Sequence, residues 1–288
     1  MCDELTEGDL DRAGLPVTRR GFAGMVAVGG AAFAATACAQ GVGDKGNMVT
    51  IVTPDGTADA YFTHPSSGKH PAVLIWPDIR GLRPAFRQMA DRLAADGYAV
   101  LALNPFYRDA QGEVVKPEDD WTQPAIRERL FGYAGKLTRE AVARDATALA
   151  AWFDKQKAVD TKRGIGVTGY CLGGPFTIFS AAAVPDRYKA CGSFHGSRVS
   201  NDTPTSPHLA IAQTKAQYLF AIAENDDARD PAEKDRLKAA LAGRSGFNEV
   251  EVYAGAQHGW CPPDGRAYNE AAAEKAWGRM LALFKAAL

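Results

Sequence analysis

The chain has 288 residues, 46% of them apolar, with 33 Lys and Arg against 34 Asp and Glu. That is enough apolar material for one large α/β domain or two small ones, and a formal charge of -1 excludes the basic footprint of a nucleic-acid binder. No lysine-rich helix points to acidic lipid, so chemistry on a small molecule is the expectation.

Residues 1–39 read as an export signal. A polar leader ends in Arg19 and Arg20, Phe22 follows two positions on, and residues 23–39 carry no charge. This pattern resembles the twin-arginine signal that sends folded proteins across the bacterial inner membrane. Ala37 and Ala39 offer a cleavage site, and lipidation at Cys38 is the alternative. A spanning anchor fits less well, because the stretch is rich in Gly and Ala and shorter than the roughly 20 strongly apolar residues of a typical span. Residues 40–288 are then a single periplasmic or secreted domain. As a precursor it meets the twin-arginine export machinery, and it meets a membrane only if lipidated.

From about residue 48 the strand and helix signals alternate. "MVTIVT" and "ADAYFTH", separated by "PDGT", form a hairpin, since Pro-Asp-Gly is turn chemistry between two period-two runs. "PAVLIW" is a continuous apolar strand of the kind buried on both faces. "RPAFRQMADRLAADG" places Phe86, Met89, Ala90 and Leu93 at helical spacing and stops at Gly97, and "YAVLALN" is the next strand. Residues 104–136 then dissolve into proline, charge and aromatics, too long for a plain connection, and read as an irregular insertion near the mouth of a site. "TREAVARDATALAAWFDKQ" is an amphipathic helix, "GIGVTG" a strand and "GGPFTIFSAAAV" a helix. Strands "YKACGSF", "YLFAIA" and "EVEVY" follow, with helices at "PAEKDRLKAAL" and near the C-terminus. The series predicts an α/β fold with a mainly parallel central sheet flanked by helices.

The chemistry concentrates in "VTGYCLGGPF". Cys171 sits between Gly169 and Gly173 in a strand-to-helix turn, a geometry that exposes a side chain under backbone strain. A helix N-terminus there favours thiolate over thiol, and the Leu172 amide is placed to receive an oxyanion. A nucleophile needs a base, and the base an orienting carboxylate. "YLFAIAEND" supplies Asp226, with Asp227 an unresolved rival, and "EVEVYAGAQHGW" supplies His258. The order Cys, Asp, His matches the nucleophile, acid, base order of α/β-hydrolases. His195, at the end of "CGSFHG", is a candidate pocket-lining residue, whereas His64, His70 and His208 fit no role. Cys171, Cys191 and Cys261 are too few for a disulfide scaffold, although an oxidising compartment permits a Cys191–Cys261 bridge. No Cys-x-x-Cys pair exists, which argues against a thioredoxin-like or zinc site, and no cofactor is expected.

"GYCLGG", "AEND" and "AQHGW", with "PAVLIWPDIRGL" and "RQMADRLAADGYAVLALNPFYR", resemble the dienelactone hydrolase family of α/β-hydrolases over nearly all of residues 48–288. The resemblance implies an eight-stranded α/β-hydrolase sheet, no metal, and hydrolysis of an enol-lactone or related small ester through an acyl-thiol intermediate. It makes Cys171 the nucleophile, His258 the base and Asp226 the orienting acid, with oxyanion donors from the backbone of Leu172 and Ile79. In the family a glutamate after the first buried parallel strand touches the nucleophilic thiol; Asp78 stands at that place here, one methylene shorter. The family's substrates carry a carboxylate, which calls for an arginine fork, and Arg80, Arg83, Arg127 and Arg129 are the candidates. An arginine that family members carry soon after the histidine is missing, because Trp260 and two prolines intervene before Arg266. A general carboxylesterase or thioesterase, or a non-catalytic ligand-binding protein on the same fold, are the alternative readings.

Overall fold

A computed structural model describes residues 46–116, 119 and 123–288. Arg19, Arg20 and Cys38, and with them the whole export reading, lie outside the described residues. The chain opens with the expected hairpin, β1 (Asn47–Thr53) and β2 (Gly56–Thr63), paired antiparallel. Gly56 closes the turn at φ 137°, a conformation that L side chains rarely adopt.

After the hairpin come β3 (Ala72–Trp76), α1 (Pro84–Ala95), β4 (Ala99–Leu103), α2 (Pro124–Ala134) and α3 (Arg139–Phe153). β5 (Ile165–Tyr170), α4 (Gly174–Ala183), β6 (Tyr188–Phe194), β7 (Gln217–Ala223) and a short α5 (Glu224–Arg229) follow. The chain ends with α6 (Glu233–Leu241), β8 (Asn248–Tyr253) and α7 (Glu270–Ala287). One eight-stranded sheet runs in the order β1-β2-β4-β3-β5-β6-β7-β8. Only the β1–β2 and β2–β4 pairings are antiparallel; the rest are parallel. β3, β4 and β5 are buried along their whole length, as a strand covered on both faces must be.

Two cores result. One face of the sheet packs against α3, α4 and α6 through Val142, Leu149, Ile178 and Leu237. The other packs against α1 and α7 through Phe86, Leu93, Met280 and Phe284. Cys191 belongs to the first core and Cys261 to the second, and both thiols are free. The bridge that composition allowed between them therefore does not form, because the sheet stands between the two sulfurs. Residues 104–136 are also less irregular than expected: α2 lies within them and buries Leu130 in the first core.

Register decides where function can sit. Trp76 pairs with Gly169, Tyr170 with Phe194, and Ala223 with Tyr253, so β3, β5, β6, β7 and β8 end together along one edge. The residues just past those ends are the chemically interesting ones, as expected for ligand sites at the carboxyl ends of parallel strands.

Candidate active site

Cys171 has φ 50°, a left-handed backbone that costs a non-glycine residue of order 1 kcal/mol or more. The turn is too tight for side chains on its flanks. A Cβ on Gly169 would lie 2.0 Å from the Gly173 carbonyl oxygen, and one on Gly173 would lie 2.4 Å from that of Trp76. Both glycines are thus demanded by close approach, Gly169 to the new helix and Gly173 to the end of β3. The segment Cys171–Gly173 is one turn of 3-10 helix leading straight into α4. The Leu172 amide lies in that first turn. The Ile79 amide, in the loop after β3, donates to no backbone carbonyl among the described residues.

"AEND" proves to be a clasp for the histidine loop. The Glu224 carboxylate accepts the Gly255 N–H at 2.6 Å, Asn225 Oδ1 accepts the His258 N–H at 2.8 Å, and Asp226 Oδ2 meets His258 Nδ1 at 2.7 Å. Asp226 rather than Asp227 therefore orients the imidazole; Asp227 pairs with Lys234 at 2.6 Å. Asp226 stands in the first turn of α5 and not on an open loop. With Nδ1 bonded to a carboxylate, the ring is held in one orientation, as a base needs.

His195 is 1% exposed, and neither of its ring nitrogens has a hydrogen-bond partner. Its ring stands edge-on to those of His258 and Trp260, both at 5.1 Å between centroids. Burial, and next the His258 ring, hold its pKa well below the ordinary histidine value, so it is neutral. Trp260 is fully buried behind it and stacks on Tyr253 at 5.2 Å. His195 thus walls the imidazole, and Trp260 backs His195.

The loop after β3 is held by one side chain. Arg83 Nη1 and Nη2 grip Asp78 at 2.7 and 2.9 Å, Nε and Nη2 grip Asp264 at 2.6 and 3.0 Å, and Nη1 also reaches the Gly81 carbonyl at 3.2 Å. All five guanidinium donors are engaged. Burial alone would lower the Arg83 pKa, but Asp78 and Asp264 more than offset it. Asp78 Oδ1 also accepts the Arg80 N–H at 2.9 Å. Asp78 is thereby occupied inside the loop, and Arg83, bound on both sides, is no free fork for a substrate. Arg80 leans on Asp264 at 3.5 Å. Arg127 and Arg129 stand on α2, where Arg129 pairs with Asp119 at 3.2 Å.

Sequence reading missed Ser197. Its N–H donates to the Cys171 carbonyl at 2.9 Å and its hydroxyl lies 3.5 Å from the Cys171 sulfur. The signal was its position just past the end of β6, beside the already suspected His195. Asp264 was missed too, since nothing local pairs it with a residue 181 positions earlier. A cavity of about 190 Å³ lies between α1 and α7, walled by Met89, Tyr170, Phe194, Cys261 and Trp277. Cys171, Asp226 and His258 do not line it, although Tyr170 and Phe194, the last residues of β5 and β6, do.

Residues 58–288 match the family model described as "Dienelactone hydrolase family". A Salmonella typhi protein named "Putative carboxymethylenebutenolidase" is 28% identical over 242 residues, which cover 82% of this chain and 86% of that one. The "Carboxymethylenebutenolidase" of Rhodococcus opacus is 28% identical over 235 residues, covering 80% and 87%. Among solved structures, a "Putative Dienelactone Hydrolase" from Klebsiella pneumoniae superposes with a TM-score of 0.70 at 25% identity, covering 83% of this chain and 98% of that chain.

Proposed function

The chain belongs to the dienelactone hydrolase family and is a hydrolase acting on ester or lactone bonds, and on that premise we propose that it works through Cys171 as nucleophile, His258 as base and Asp226 as orienting acid. The observation that carries this reading is a cysteine at φ 50° in a strand-to-helix turn, on the same sheet edge as an imidazole backed by a carboxylate at 2.7 Å.

The chemistry follows from acyl transfer to sulfur. His258 takes the proton of Cys171, or stabilises the thiolate. The thiolate adds to the ester carbonyl carbon, forming a C–S bond, and the resulting oxyanion faces the amides of Leu172 and Ile79. The C–O bond then breaks, and the leaving oxygen takes the proton from His258. In a lactone that oxygen stays tethered to the acyl group. His258 next deprotonates a water, which attacks the thioester; the C–S bond breaks, the acid departs and the thiol recovers its proton. Sulfur suits activated esters and lactones better than amides, so small enol-type esters are the substrate class.

Hydrolysis of p-nitrophenyl acetate and of small lactones tests this. Cys171→Ala should lose about 10³-fold or more of wild-type turnover, and iodoacetamide treatment of the wild type should do the same. A Cys171→Ala protein that keeps its activity would sink the reading; ligand binding without turnover in the wild type would favour a binding protein. For residues 1–39 we propose twin-arginine export, which predicts that changing Arg19 and Arg20 to Lys strands the precursor in the cytoplasm.

A further inference from the structure

We propose that Ser197 is the hydrogen-bond partner of the Cys171 thiol and sets how much of it is thiolate at neutral pH. This rests on the reading of Cys171 as nucleophile and gives Ser197 a positioning role at that sulfur.

Three observations carry it. The Ser197 hydroxyl is 3.5 Å from Sγ, within hydrogen-bond reach of a sulfur. The Ser197 N–H donates to the Cys171 carbonyl at 2.9 Å, so the two residues are fastened at the backbone as well. The carboxylate that the family resemblance places at the thiol, Asp78, has both oxygens taken by Arg83 and one also by the Arg80 amide. An aspartate held that way is not available to follow the ionisation of a sulfur.

The loop around Ser197 is built to hold it there. His195 at φ 39° and Arg198 at φ 54° flank it in left-handed conformations that non-glycine residues rarely adopt. Gly196 is pressed onto the first turn of α4: a Cβ on it would lie 2.4 Å from Ser193 Oγ, and one on Gly174 would lie 2.5 Å from the Gly196 Cα. Such strain persists only where the surroundings over-determine it, and it clusters at functional sites. A hydroxyl is the right group for the task, because it can accept from S–H and, by rotating, donate to S⁻. Donation to the anion is the stronger of the two, so the net effect favours thiolate.

The other charged or titratable groups around the turn are His195, Arg198 next in the chain to Ser197, the His258–Asp226 pair, and the Asp78–Arg83–Asp264 cluster. A substitution at Ser197 leaves each of these side chains in place, so a changed profile reads the hydroxyl.

The test is the pH profile of Cys171 alkylation by iodoacetamide in the full-length protein, followed by mass spectrometry of the Cys171 peptide. Ser197→Ala should move the midpoint up by about one pH unit, which slows alkylation at neutral pH about tenfold. Ser197→Gly should do the same, and Ser197→Thr, which keeps a hydroxyl, should restore the wild-type midpoint. Superimposable profiles for wild type, Ser197→Ala and Ser197→Gly overturn the proposal; so does a Ser197→Thr midpoint as high as that of Ser197→Ala, or a wild-type Cys171 that the reagent does not reach. Alkylation reads the sulfur without turnover. A wild type that shows the shifted profiles yet hydrolyses no ester would therefore defeat the hydrolytic mechanism while leaving the Ser197 assignment standing.

Discussion

The two loops that frame Cys171 are held in opposite ways. The loop after β3 is locked by charge: one buried arginine gives its donors to two carboxylates and a carbonyl, and Asp78, Ile79 and Arg83 are all buried. The loop after β6 has no ion pair over residues 195–198 among the described residues; it is held by close packing of glycines, by one backbone bond to Cys171, and against unfavourable φ at His195 and Arg198. Charge fixes the side that offers an amide, and strain fixes the side that offers a hydroxyl and an imidazole wall. A saturated ionic loop is a poor proton exchanger, whereas a loop with a rotatable hydroxyl beside the sulfur and a neutral histidine can respond when that sulfur changes charge.

The sharpest break of this contrast is Arg83→Met. It strands Asp78 and Asp264 without their shared cation, and thermal or urea unfolding should show a loss of about 3–5 kcal/mol. A loss below 1 kcal/mol would mean the first loop is not held by charge. Gly196→Ala addresses the second loop: its new Cβ must displace Ser193 Oγ and Val199, at a cost of about 1–3 kcal/mol by the same measurement.

Acid should separate the loops further. Asp264 is drawn down from 3.8: burial would raise it, but the Arg83 hydrogen bonds win. A depressed carboxylate stabilises the fold above its unfolded value and loses that only as pH falls through the folded one, so the first loop weakens only below about pH 4. His195 is a base whose folded pKa lies well below 6.5, because protonating it would bury a charge. The unfolded chain therefore takes up the proton first, and stability falls as pH drops below about 6.5. Glu233, which accepts the Ser200 N–H at 3.0 Å, runs the other way. Burial raises its pKa from 4.5 to about 7, so its contribution is present below pH 4.5 and is lost as pH rises toward 7. Stability measured against pH should thus flatten on the acid side in His195→Gln and change with the opposite sign in Glu233→Gln. The smallest effect is on Ser197→Ala itself: a half-buried hydroxyl beside sulfur should cost under about 1 kcal/mol of stability, even as thiol reactivity changes tenfold.

Most of the fold was legible because its signals are local. Alternating apolar runs, Gly97 after α1 and the Pro-Asp-Gly turn each announce an element within a dozen residues. Cys171, Asp226 and His258 could be singled out as candidates because their order along the chain is itself a constraint. What escaped needed contacts across the sheet. Asp226 could be separated from Asp227 only once α5 turned one toward His258 and the other toward Lys234. Arg83 was one of four candidates for a substrate fork until Asp264 arrived from the far end of the chain. The short α5 was hidden because five polar residues and one alanine have no apolar period to reveal them.

The reach of that arginine also bears on how the molecule is assembled. Arg83 and Asp264 are 181 residues apart, and Trp277 bonds Asp96 over the same span. Contacts so distant in sequence must wait for the intervening strands to be in place, because closing so long a segment early is entropically costly. The rim of the mouth is therefore among the last parts to mature, and a chain released before β8 docks would own a correctly bent cysteine with no finished pocket around it.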